Sequence, residues 1–160
     1  MRELMPLAER AGALLKERGE TVSVAESSSG GLISAALLGV AGASAYYLGG
    51  GVIYTAKARA VLMDLPRASV AGMRSASEPY ALLLARTARE RLAATWGVSE
   101  TGAAGPTGNP YGDAAGHSCI AISGPLDAAI TLETASADRI ANMHAFAAAA
   151  LELLLKGLQA

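Results

Sequence analysis

Apolar residues recur at helical spacing from the start of the chain. Leu4, Leu7, Ala8, Ala11, Leu14 and Leu15 fall on one stripe, and Gly19 follows where such a helix stops. Thr21 to Ala25 then reads as a strand, and the apolar spacing from Ser29 to Leu38 predicts a second helix. Small residues from Val40 to Ser44 make a turn. Tyr46 to Tyr54 is strand-like but interrupted by Gly49, Gly50 and Gly51. Glycines inside a strand mark a bulge or a close approach of another group to the backbone. Lys57 to Met63 predicts a short helix, ended by Pro66.

Further on, Ser77 is placed to cap a helix and Pro79 to sit in its first turn, with the helix running to about Thr95. Val98 to Thr101 reads as a third strand. It empties into a long segment rich in small residues, Gly102 to Gly116, and loops of that length commonly carry function. Ser118 to Ser123 and Ala128 to Thr134 predict a hairpin joined near Gly124-Pro125, and Asp138 caps a last helix reaching about Gly157. Helices alternating with strands in this order fit a sheet covered by helices on both faces.

Composition narrows the function classes. A chain of 160 residues fits one domain, residues 1–160, and with 52% hydrophobic and 17% charged residues it can fill a sizeable core. The net charge of −1 gives no basic footprint for nucleic acid, and one Trp with one Phe leaves little for base stacking. A single cysteine, Cys119, excludes an internal disulfide and sits in an apolar run that suits a small core residue. His117 and His144 are too few and too separated for a histidine-based metal site, and no metal or cofactor is expected. The first 19 residues mix charge with apolar positions, unlike a signal peptide. Arg139 to Leu155 is Ala-rich but carries Asn142, His144 and Glu152, which suits a buried amphipathic helix better than a membrane span. These features predict a cytoplasmic protein that binds a small molecule and neither nucleic acid nor membrane.

Candidate chemistry concentrates in Ala25-Glu26-Ser27-Ser28-Ser29-Gly30-Gly31. A strand delivers three hydroxyls and two glycines to the start of a helix. Free backbone N–H groups there attract anions and oxyanions, and a hydroxyl so placed can act as nucleophile, orienter or phosphate ligand. The same residues also suit a plain N-cap and tight turn. Glu26 is expected to accept hydrogen bonds from the backbone of the turn rather than to act as a base.

The segment Glu26-Ser27-Ser28-Ser29-Gly30-Gly31 resembles the Glu-Ser-Cys-Thr-Gly-Gly signature of the CinA carboxy-terminal domain family, whose members include nicotinamide mononucleotide amidohydrolases. The resemblance continues in order through Val40 to Tyr47, Gly51-Val52-Ile53-Tyr54, Ser77-Glu78-Pro79, Thr101-Gly102-Ala103-Ala104-Gly105-Pro106 and Asp138-Arg139. It implies a three-layer α/β/α sandwich with a mixed sheet. It implies hydrolysis of the carboxamide of nicotinamide mononucleotide, giving nicotinate mononucleotide and ammonia. A homo-oligomer, most simply a dimer, is implied too, and Tyr46-Tyr47-Leu48 with the Ala-rich last helix offers apolar surface for it. Many relatives carry a further amino-terminal domain, which this reading does not expect here.

Carried onto this chain, the resemblance makes Ser27 the nucleophile and Lys57 the nearest candidate base. Ser29, Gly30, Gly31, Tyr54, Arg59, Thr101, Gly102 and Arg139 become candidate substrate-binding residues. Ser29 to Gly31 would supply oxyanion or phosphate donors, Tyr54 would line the ring pocket, and Arg139 would hold phosphate through its planar fork. Lys57 equally suits a solvated helix start, and Arg139 a surface ion pair. In place of the family's Tyr-Ser-Asn-x-x-Lys the chain has Tyr54-Thr55-Ala56-Lys57-Ala58-Arg59, which puts Arg59 at the Lys position. Arginine holds its proton too firmly to serve as a base. The alternative is therefore a non-catalytic nucleotide-binding or assembly protein on the same scaffold. An Asp113–His117 pairing rests on proximity alone and is given no weight.

Overall fold

The computed structural model describes residues 1–160. Helix α1 (Met5–Arg18) follows a single 3-10 turn and ends at Gly19, whose φ of 62° is the left-handed conformation that glycine adopts without strain. Strand β1 (Val22–Glu26) leads to α2 (Leu32–Leu38), and β2 (Tyr47–Val52) to α3 (Ala56–Met63). Helix α4 (Glu78–Leu92) precedes β3 (Trp96–Ala103), the hairpin β4 (His117–Ser123) and β5 (Ala128–Glu133), and α5 (Arg139–Gln159). The expected caps are present: Ser77 accepts from the Tyr80 N–H at 3.4 Å and Asp138 from the Ala141 N–H at 3.0 Å. A cap of this kind stabilises a helix by about 1 kcal/mol.

The five strands lie in the order β2-β1-β3-β4-β5. β1 runs parallel to both β2 and β3, whereas β4 is antiparallel to β3 and β5, so the sheet is mixed. Alternation along β1 and β3 sends Val22, Val24, Trp96 and Val98 into one core with α1, α2 and α5. Ala25 packs on the other face with α4 and Met63 of α3. The result is the expected three-layer α/β/α sandwich. The glycines of β2 mark a close approach, as their sequence predicts. A Cβ on Gly50 would lie 2.4 Å from the Val24 carbonyl oxygen.

Several boundaries differ from the sequence reading. α2 begins at Leu32, three residues after Ser29, because Gly30 and Gly31 take positive φ values of 65° and 99° and hold the turn open. β3 starts earlier, at Trp96, whose indole N–H reaches Glu20 at 2.7 Å. The surface expected to join copies is mostly used within the chain. Tyr46 is 0% exposed with its hydroxyl on the Leu37 carbonyl at 2.5 Å, and Ala147, Ala149 and Ala150 of α5 are buried. Cys119 is buried, and that burial pushes its thiol pKa up. No helix is long and apolar enough to cross a membrane.

Candidate active site

Parallel strands leave a crevice beyond their carboxyl ends where the chain reverses its direction of winding. Here β2 and β3 lie on opposite sides of β1, and the crevice opens beside Ser27, the first residue past β1. A cleft of about 350 Å³ occupies it and brings together Ser27, Tyr54, Arg59, Thr101 and Gly102. These five candidates are far apart in sequence and are gathered by the ends of β1, β2 and β3 and by the first turn of α3.

Two buried carboxylates hold the serine turn. Glu100, 0% exposed on β3, accepts from the Ser27 N–H at 3.1 Å, the Ser29 N–H at 2.8 Å, the Ser118 hydroxyl at 2.9 Å and the Ser28 hydroxyl. Glu26, also 0% exposed, accepts from the Ser29 hydroxyl at 2.7 Å and from the N–H groups of Ile33 at 3.1 Å and Ser34 at 3.0 Å. Glu26 thus does the structural work expected of it. Glu100 carries no sequence motif. Its one sequence signal is a charge set inside the apolar strand pattern around Val98. A buried carboxylate is tolerable only with such a full set of donors.

This arrangement changes the expected anion cradle. The N–H groups of Ser27, Ser29, Ile33 and Ser34 point at the chain's own carboxylates rather than into the cleft. Ser29 is buried behind the turn, and Gly30 and Gly31 lie outside the cleft wall. Lys57 is exposed on the first turn of α3 and does not line the cleft, while Arg59, two residues on, does. Arg139 sits at the rim. It donates to the Gly105 carbonyl at 2.5 Å and to the Tyr54 hydroxyl at 3.3 Å, beyond the same strand ends as Ser27.

The cleft wall also includes Ala76, Tyr80, Asn109 and Tyr111, none of which the sequence singled out. The long loop that bears two of them is tied down. Asn109 accepts from the Tyr111 and Asp113 N–H groups at 3.0 and 3.1 Å, and Arg74 grips Asp113 with two bonds, at 2.6 and 3.2 Å. The Arg74 guanidinium holds the Asp113 carboxyl below the usual carboxylate range, against burial, with Asn109 and His117 in support. The pairing given no weight in sequence does exist: His117 Nε2 lies 3.5 Å from Asp113. Its geometry is that of a clamp. Nε2 is 2.8 Å from the Ala76 carbonyl and Nδ1 meets Glu133, so both ring nitrogens face acceptors. Burial opposes the imidazolium, but the Ala76 carbonyl, Glu133 and Asp113 together raise the His117 pKa. The clamp holds Ala76 in the cleft wall, where its N–H also donates to Thr101 at 3.2 Å.

The model of the CinA C-terminal domain matches residues 4–158. The chain belongs to this family. Curated relatives point the same way. A CinA-like protein of Salinibacter ruber is 37% identical over 88% of the chain and 34% of its own length. Another, from Nostoc, is 34% identical over 95% of the chain and 38% of its own length. The chain thus spans little more than a third of these relatives. The competence/damage inducible protein CihA of Agrobacterium tumefaciens superposes with a TM-score of 0.89 at 30% identity, covering 98% of this chain and 96% of that one. A competence damage-inducible protein A from Klebsiella pneumoniae superposes at a TM-score of 0.91 with 23% identity, which bears on the fold alone. Within the CinA C-terminal domain, the serine turn and the cleft are the places where this chain's polar side chains converge.

Proposed function

We propose that this CinA C-terminal domain hydrolyses the carboxamide of nicotinamide mononucleotide, with Ser27 as nucleophile. The observation that carries the reading is the placement of Ser27 at the cleft wall on a turn fixed from behind by Glu100 and Glu26. Positioning of that kind removes much of the entropy cost of attack. Ser27 Oγ adds to the amide carbon, and the hydroxyl proton is handed on to the amide nitrogen, which becomes the leaving group. Collapse of the tetrahedral intermediate expels ammonia, and water then releases nicotinate mononucleotide from the acyl-serine. Tyr54 and Tyr80 offer flat apolar faces for the pyridine ring, and Lys57, which follows cleft residue Ala56 on the first turn of α3, is the chain's candidate for relaying the Ser27 proton to the leaving nitrogen.

The test is direct. Purified protein is incubated with the mononucleotide between about pH 6 and 10, and ammonia and nicotinate mononucleotide are assayed beside a competent homologue. Turnover in the wild type that disappears in Ser27→Ala supports the reading. Absence of turnover in the wild type overturns it.

One observation favours a second reading, a nucleotide-binding or assembly protein without turnover. The cleft wall contains no His, Lys, Asp or Glu, and its cation is Arg59. Calorimetric binding of the mononucleotide without hydrolysis would select this reading. Loss of turnover with retained affinity in Lys57→Ala would select the first.

A further inference from the structure

His117 lies outside the cleft, yet one cleft wall depends on it. The ring is buried on the face of β4 that packs against α4, two residues before Cys119. Both of its nitrogens face acceptors. Nε2 meets the Ala76 carbonyl at 2.8 Å and the Asp113 carboxylate at 3.5 Å, and Nδ1 meets the Glu133 carboxylate. A neutral imidazole has one donor nitrogen and one acceptor, so only the imidazolium donates on both sides. The other charged groups nearby are fixed or turned elsewhere. Arg74 keeps the Asp113 carboxyl ionised, and burial keeps the Cys119 thiol protonated. Glu78, at the start of α4, bonds Thr131, and Glu100 of β3 points to the opposite face of the sheet, where it meets Ser118.

Ala76 is where that ring meets the cleft. Its φ of 54° is left-handed, a conformation that a residue with a Cβ keeps only under constraint. Two bonds supply the constraint. The Ala76 N–H donates to Thr101 Oγ1 at 3.2 Å, and its carbonyl accepts from His117. The Cys119 thiol, 3.5 Å from the same carbonyl, adds only a weak donor. The next residue, Ser77, caps α4 on the Tyr80 N–H. Ser75, Ala76, Tyr80 and Thr101 all border the cleft, so one side of it is hung on a single peptide group that the ring holds.

We propose that His117 is a positioning residue for the serine cleft: as an imidazolium it holds Ala76 and the Tyr80 side of the wall, and on losing a proton it lets that wall relax. Glu133 is a stronger acceptor than a carbonyl, so the remaining proton stays on Nδ1. The bare Nε2 lone pair then faces the Ala76 carbonyl and the Asp113 carboxylate, and acceptors at those distances repel. Ala76 loses one of the two bonds that keep its φ positive. Ligand affinity should therefore fall as pH rises through the titration of the ring, opposite in sense to the rise in rate expected of a reaction that needs a deprotonated base. The choice of nicotinamide mononucleotide as probe rests on the proposed function; the clamp does not.

The experiment uses the full chain as wild type, Glu133→Gln, His117→Gln and His117→Asn, with thermal melts confirming that each folds. Three quantities are followed between about pH 5.5 and 9. They are the His117 ring titration by NMR, the protection of the Ala76 amide against hydrogen exchange, corrected for the intrinsic rate, and mononucleotide affinity by calorimetry. In the wild type, protection and affinity should each fall roughly 10-fold, the scale of a lost charged hydrogen bond. Both should share the midpoint of the ring, which lies above about 6.5. Glu133→Gln keeps an acceptor for Nδ1 but removes its charge, and should move all three midpoints down by about one unit. His117→Gln puts an amide donor within reach of the Ala76 carbonyl and should keep the wild type's acid-pH values throughout. The shorter His117→Asn reaches only toward Glu133 and should show the relaxed values at every pH. Equal losses in the Gln and Asn variants would make the histidine a packing residue and overturn the proposal. So would Ala76 protection that does not follow the ring, or an affinity that stays flat through its midpoint. Binding with the expected pH dependence but without turnover would refute the hydrolytic reading and leave the clamp standing. Should the mononucleotide not bind at all, the hydrolytic reading falls, and the exchange data alone uphold or overturn the clamp.

Discussion

Glu100 accepts the backbone N–H of Ser29 at 2.8 Å across 71 residues of chain. With its other bonds, this contact ties the serine turn to the middle of the sheet. The turn is held by the chain's own carboxylates and needs no ligand to order it.

Glu100→Gln places an N–H₂ donor where the serine turn presents only donors. Leaving several buried donors unsatisfied should destabilise the fold by about 3 kcal/mol. That corresponds to a midpoint lower by roughly 10 °C for a chain of this size. Ser118→Ala removes one of the same bonds and should cost about 1 kcal/mol. Thermal denaturation followed by circular dichroism checks both. Equal effects of the two variants would contradict the central role given to Glu100.

The His117 clamp predicts a pH dependence of stability. The folded state raises the His117 pKa above its unfolded value, which is about 6.5. The clamp therefore contributes fully below about pH 6.5 and weakens as pH rises through the folded value. Asp113, whose pKa is lowered, acts in the opposite sense and at acid pH, so it leaves the window above 6.5 to His117. The melting midpoint should fall as pH rises through that window, and His117→Asn should flatten the fall. A slope unchanged in the variant would assign it to other groups.

The apolar surface left for a second copy runs along the outer edge of the sheet. Leu48 and Val52 of β2, Leu62 of α3 and Leu92 of α4 are exposed there, and no strand covers the outer rim of β2. An unpaired strand edge with apolar flanks is a ready joint for an identical edge. The expected outcome is a dimer by light scattering at micromolar concentration, reverting to the 16.1 kDa monomer in Leu48→Lys/Leu62→Lys. A wild type that runs as a monomer would reject the joint.

How much was legible in the sequence follows from the range of each signal. The strand-to-helix placement of Ser27 is local, written in an apolar run and two glycines, and it was readable. So were Ser77 and Asp138 as caps and the close approach at Gly50, because each needs only neighbours or a missing side chain. Glu100 was not readable, because its four donors come from the serine turn and β4, both remote in sequence. The same holds for Ala76 and Tyr80, which reach the cleft only because α4 packs against β3. Arg59 was visible as a substitution at a family position, but its place in the cleft wall with Ser27 is a property of the folded chain. The free amides expected at the serine turn failed for one physical reason. A helix start attracts any carboxylate in reach, and the nearest were the protein's own.

The pairing of β1 with β3, Ala25 opposite Ser99, also acts as a ruler. Slipping that pairing by one residue would turn Glu100 toward α4 and away from the serine amides. Slipping it by two would carry the carboxylate about 7 Å along the strand. Either way a naked charge would be stranded in the interior, and the misaligned sheet would be heavily penalised. The bonds that hold the serine turn thereby proofread the assembly of the sheet, so chains that fold at all fold with Ser27 in its place.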